Sequence, residues 1–192
     1  MHRTWTPAAI ALLSIAATTG AGGQVSRDPH EFINIMAIAG MAEVQLGKVA
    51  AERGQDPDVK AFGQMMVKDH TAANDELKQV VSQAGGQLPT QLDVKHRELA
   101  DRLMKLQGEE FDREYIKAMI EGHEDVADHL LRQVGWIGTS TRDESGVPVA
   151  VGTSGSASGD TSVRFWAMKT LPVVQQHLQR AREIQDKLQK DR

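Results

Sequence analysis

Between Pro57 and Gly85 the apolar residues Val59, Phe62, Met66, Ala73, Leu77, Val80 and Ala84 fall at alternating steps of three and four. That spacing is one face of a helix packed against other helices, and it excludes a strand, whose faces alternate every second residue. His70 lies inside the stripe, so its imidazole points at the core, where a polar group left unpaired is costly. The same periodicity recurs three more times along the chain. From Pro29 to about Arg53 it runs through Phe32, Met36, Ala39, Leu46 and Ala50, with Asp28 placed to cap the helix, Pro29 as its first residue, and Glu43 on the stripe. From about Glu109 to Gly135 it runs through Ile116, Met119, Val126 and Leu130, with His123 on the stripe. From about Val163 to Lys190 it runs through Trp166, Thr170, Val173, Ala181, Ile184 and Leu188, with His177 on the stripe.

Breaks between these segments are equally legible. Gly54-Gln55-Asp56-Pro57 makes a tight turn, with Asp56 a cap and Pro57 a first helical residue, so the second helix runs back along the first. Gly85-Gly86 ends that helix. Leu92 to Leu106 forms a shorter amphipathic segment carrying Leu99, Leu103 and Leu106. In that position it can return the chain from one end of a bundle to the other, as the long crossover of ferritin-like topologies does. The expected fold is therefore all-α, a four-helix bundle with an extra helix between its second and third long helices, ferritin-like where that helix is a crossover. Pro172 should kink the fourth long helix or open a fresh segment capped by Thr170, because proline lacks the backbone donor. Residues 136–162 change to Gly, Ser and Thr with scattered Val, and are expected to form a flexible insertion within the domain of residues 28–190.

The first 23 residues read as a signal peptide: Arg3 ahead of the apolar run Ala8 to Ala17, then small residues through Gly23. The apolar run is too short to span a bilayer, and no transmembrane helix is expected in the mature chain. Export to the periplasm or beyond is the resulting expectation. With no cysteine there is no disulfide and no thiolate ligand. A net charge of −4 without a basic cluster gives no surface for nucleic acid.

Glu43, His70, His123 and His177 are thus four potential metal ligands, one on each of four apolar stripes. At 1.5 Å per residue Glu43 lies roughly 16 Å before Gly54, His70 roughly 20 Å after Pro57, His123 roughly 21 Å after Gly108, and His177 roughly 20 Å before Lys190. All four fall at mid-height, where facing side chains of a bundle converge on a metal. The pattern Phe62-x3-Met66-x3-His70 recurs as Tyr115-x3-Met119-x3-His123, which adds Met66 and Met119 as candidate soft donors. Asp69 and Asp112 are candidate acceptors for histidine N–H groups, against the ordinary reading of surface or capping carboxylates. Di-iron bundles carry Glu-x-x-His on two helices. Here Val67 and Ile120 hold the glutamate positions, so a single zinc, copper or iron ion is the expected cofactor.

The blocks Ala42-Glu43-Val-Gln-Leu-Gly-Lys-Val, Val59-Lys-Ala-Phe to Asn74, Gly108-Glu-Glu-Phe111-Asp112-Arg-Glu-Tyr115 to His123, and Leu171-Pro172 to His177 resemble the signatures of an exported bacterial domain-of-unknown-function family, number 4142 of that series. The resemblance covers about Phe32 to Leu188 apart from the insertion. It implies a ferritin-like helical bundle, often labelled a periplasmic or outer-membrane protein, and leaves the biochemistry unassigned. Metal handling or envelope stress tolerance without turnover is the leading expectation. The alternatives are a metal-free structural module meeting an envelope protein partner or forming a homo-oligomer, and more remotely a redox enzyme acting on a small oxidant. No nucleophile triad, phosphate loop or acid/base pair stands in a recognisable setting.

Overall fold

The structure is a computed structural model that describes residues 29–134, 141–142, 148–149 and 161–190. The expected signal peptide, the Asp28 cap, Gly135 and most of the expected insertion lie outside the described residues. The elements are α1 (Pro29–Arg53), α2 (Pro57–Gln83), α3 (Val94–Leu103), α4 (Gly108–Gln133), β1 (Thr141–Arg142), β2 (Pro148–Val149) and α5 (Thr161–Lys190). The all-α expectation holds for the five helices. Within the stretch expected to be a structureless insertion, β1 and β2 pair antiparallel, with Thr141 opposite Val149 and Arg142 opposite Pro148. Thr161 and Ser162 already belong to α5.

Caps set the helix ends. Asp56 accepts from the Asp58 amide at 2.7 Å ahead of Pro57, starting α2. At its other end Gly85 adopts φ +76°, and the amides of Gly85 and Gly86 bond Ser82 and Val81 carbonyls at 3.0 and 2.9 Å. This is a Schellman turn, which needs a residue without Cβ at that position. Asp93 caps α3 on the His96 amide at 2.8 Å.

The four long helices pack in the cyclic order α1, α2, α5, α4. Cross-contacts give their directions. Asp112 at the start of α4 meets the turn between α1 and α2, and Arg180 and Lys187 late in α5 meet Asp58 and Asp56 at the start of α2. Trp166 early in α5 donates to the Ala73 carbonyl in the second half of α2 at 3.0 Å. Hence α2 and α4 run one way and α1 and α5 the other, and the segment containing α3 spans the length between them. The α1–α2 seam is tight enough to need glycine. A Cβ on Gly63 would stand 2.7 Å from the Gly47 carbonyl, and one on Gly47 would stand 2.8 Å from the Gly63 carbonyl.

Along α1, His30–Arg53 is long and apolar enough to cross a membrane by length and composition. Burial of Phe32, Met36, Leu46 and Ala50 among the other helices accounts for that apolarity.

Several expectations shift in phase. Val81 rather than Val80 is fully buried, Ala84 is exposed, and on α5 Val174 is buried while Val173 is exposed. Pro172 does not open a fresh segment: α5 is continuous through it. Thr170 is not a cap either, since its hydroxyl donates back to the Trp166 carbonyl at 2.9 Å. The carbonyl that Pro172 leaves without a donor belongs to the exposed Met168, where water can take the bond.

Apolar residues form two cores. One gathers Leu46, Phe62, Met66, Phe111, Tyr115, Met119 and Ile184 near the α1–α2 turn; the other gathers Phe32, Met36, Leu77, Leu130, Trp166 and Val174 toward the opposite end. Between them each of the four long helices buries one polar residue: Glu43, His70, His123 and His177.

Candidate metal centre

His70, His123 and His177 come together from α2, α4 and α5. Their ring centroids form a nearly equilateral triangle, 5.5 Å from His70 to His123, 5.4 Å from His70 to His177, and 5.5 Å from His123 to His177. One ligand nitrogen from each lies within 4.8 Å of the others. Phe62 stands one layer toward the α1–α2 turn, its ring 6.5 Å from both His123 and His177.

Hydrogen bonds orient two of the rings. His123 Nδ1 lies 2.8 Å from the Met119 carbonyl, which can only accept, so Nδ1 carries the proton and Nε2 the lone pair. His177 Nε2 lies 3.0 Å from Asp69 Oδ2 and donates to it, which leaves the lone pair on Nδ1. The nitrogens left without a partner are His70 Nε2, His123 Nε2 and His177 Nδ1, all buried. Burial pushes each imidazole's pKa below its usual range. For His70 the neighbouring His123 and His177 push further, His123 falls to about 3, and for His177 Asp69 partly offsets the burial. Three neutral imidazoles with free lone pairs at pH 7 are what a metal requires of histidine, and what a folded chain otherwise avoids burying.

Glu43 is at the expected height and buried, but it does not join the triangle. Its nearest approach is Oε1 to His123 Nδ1 at 3.5 Å, on the edge of the ring already bonded to Met119. Burial raises its carboxyl to about pH 8. With His123 held near 3, the contact at neutral pH joins two uncharged groups and is no ion pair. Oε2 has no partner.

Met66 and Met119 pack in the apolar core with Phe62 and Ile116. Of the two candidate acceptors, Asp69 does hold a histidine, whereas Asp112 does not. The Asp112 carboxylate is 1% exposed and accepts from the amides of Gln55 at 3.0 Å and Asp56 at 2.7 Å, tying the α1–α2 turn to α4. Its partners are backbone donors more than fifty residues away, which no local pattern announces. The Met119 carbonyl was likewise invisible beforehand, although its four-residue offset from His123 is the ordinary helical one. Tyr115 is a further buried residue whose hydroxyl finds no partner, and burial raises its pKa well above the usual range.

Fold and site together define an all-helical protein with a buried three-histidine cluster midway between two apolar cores. The chain belongs to the family described as Domain of unknown function (DUF4142), which it matches over residues 14–136. The match ends just past α4, so α5 with His177 lies beyond it. No curated protein and no solved structure matches the chain.

Proposed function

We propose that this chain is an exported ferritin-like four-helix bundle that holds a single transition-metal ion, zinc, copper or iron, and serves metal handling or envelope stress tolerance rather than turnover. One observation carries the reading: three buried imidazole nitrogens, each free of any partner, face one another within the reach of one ion. The ligands are His70 Nε2, His123 Nε2 and His177 Nδ1, with Asp69 and the Met119 carbonyl orienting two of the rings. A metal-free histidine network would pair these nitrogens with one another or with neighbouring donors, because each orphaned buried polar atom costs about 1–3 kcal/mol. The ferritin-like reading is supported by the parallel run of α2 and α4 and by the long connection through α3. Export is supported by the order basic, apolar, small in residues 1–23.

Replacing His70 and His123 together by Ala tests the reading. The double variant should stay helical by circular dichroism and retain no metal; metal content equal to that of the wild type would overturn the assignment.

A further inference from the structure

We propose that a metal ion in this site keeps one coordination position open to a small exogenous donor, water or a monoanion of two or three atoms, and that Glu43 does not close it. This rests on the metal reading above. Structural zinc sites are closed by four protein ligands, whereas sites with three keep a position for water or another small ligand. Among the described residues the cluster contains His70, His123 and His177, and no aspartate or glutamate joins them as a fourth member.

The geometry makes this more than a count. The three rings form a near-equilateral triangle, so an ion held by one nitrogen of each would have its remaining tetrahedral direction along the axis of that triangle. Glu43 lies outside the group whose ligand atoms are all within 4.8 Å of one another. It approaches His123 at Nδ1, whereas the ion is proposed on Nε2, the other nitrogen of that ring. To reach the ion the carboxyl would have to leave its position beside Gly122, where Oε1 lies 3.4 Å from the place a Cβ would occupy. Phe62 lies on the side nearer the α1–α2 turn, its ring 6.5 Å from those of His123 and His177. Toward the other end, the next turns of α2 and α4 carry the small residues Ala73 and Ala127, packed in one cluster with Trp166 and Val174, so only a donor of a few atoms is proposed on that side.

Cobalt(II), whose visible bands report coordination, is the probe, with azide as the small anion. The full-length protein loaded with cobalt should show a saturable change in those bands at one azide per cobalt. Glu43→Gln should give the wild-type cobalt spectrum before azide and the same change after it. Bands that do not respond to azide overturn the proposal, and so does a Glu43→Gln spectrum already altered before azide, which would make Glu43 the fourth ligand. Failure of the wild-type protein to take up cobalt at all would overturn the metal site itself, a result distinct from either of those.

Discussion

His123 and His177 each have one nitrogen whose bond is decided by the fold and one whose bond is not, and the first controls the second. At His177 the deciding group is Asp69, which fixes the proton on Nε2 and turns Nδ1 inward. Asp69→Asn should therefore weaken metal binding by about 10–100-fold, the usual cost of removing such a partner, with helical content unchanged; competition titration against a chelator of known affinity checks it. Glu43 gives a prediction in pH. Its folded pKa, about 8, is raised above the ordinary carboxyl value of 4.5, so the folded state holds a proton that the unfolded chain releases. Its contribution to stability is whole below pH 4.5 and is lost as pH rises to 8. Glu43→Gln should thus unfold at a higher denaturant concentration than wild type at pH 8, with the advantage vanishing near pH 4. Comparing the two proteins at each pH cancels the opposite trend from the histidines, whose depressed pKa values favour the fold as pH rises toward 6.5. The histidines were legible in the sequence because a helical stripe fixes both facing and height. Glu43 met the same two criteria and still fell on the wrong edge of His123, since a stripe says nothing about which side of a neighbouring ring a side chain reaches.

Helix ends were read well because capping is local: Asp56, Pro57 and Gly85 act on amides and carbonyls within a few residues. Helix faces were read less well toward their far ends. A strict alternation of three and four follows a 3.5-residue period, which drifts about 20° per seven residues against a straight helix. Counted from Val59, that drift moves the buried position from Val80 to Val81. Contacts between elements were the least legible. Asp112→Ala should destabilise the fold by roughly 1–3 kcal/mol, since it removes the charge-assisted hydrogen bonds from a buried carboxylate to the part-buried amides of the α1–α2 turn, while leaving metal affinity unchanged; urea unfolding and the same chelator titration separate the two effects. Gly63→Ala should also destabilise, by roughly 1–3 kcal/mol, because its methyl would press on backbone atoms of Gly47 and Ala51 that have nowhere to move.

At the scale of the molecule, the polar layer interrupts an otherwise continuous apolar interior, and its three histidines come from helices on both sides of the packing: α2 from the pair joined by the glycine seam, α4 and α5 from the other. An ion bound there ties the two pairs together and is absent from the unfolded chain. Saturating metal should therefore raise the unfolding free energy, by about 2.7 kcal/mol at one hundred times Kd, and a chelator should lower the melting temperature of protein isolated with its metal. The most direct measurement is the metal content, by plasma mass spectrometry, of untagged protein purified from its native compartment. Near-stoichiometric zinc, copper or iron, lost in the His70→Ala/His123→Ala variant, is the predicted result. Protein that contains no transition metal and takes none up on reconstitution would contradict the account, leaving His70, His123 and His177 as buried polar groups with no ligand to explain them.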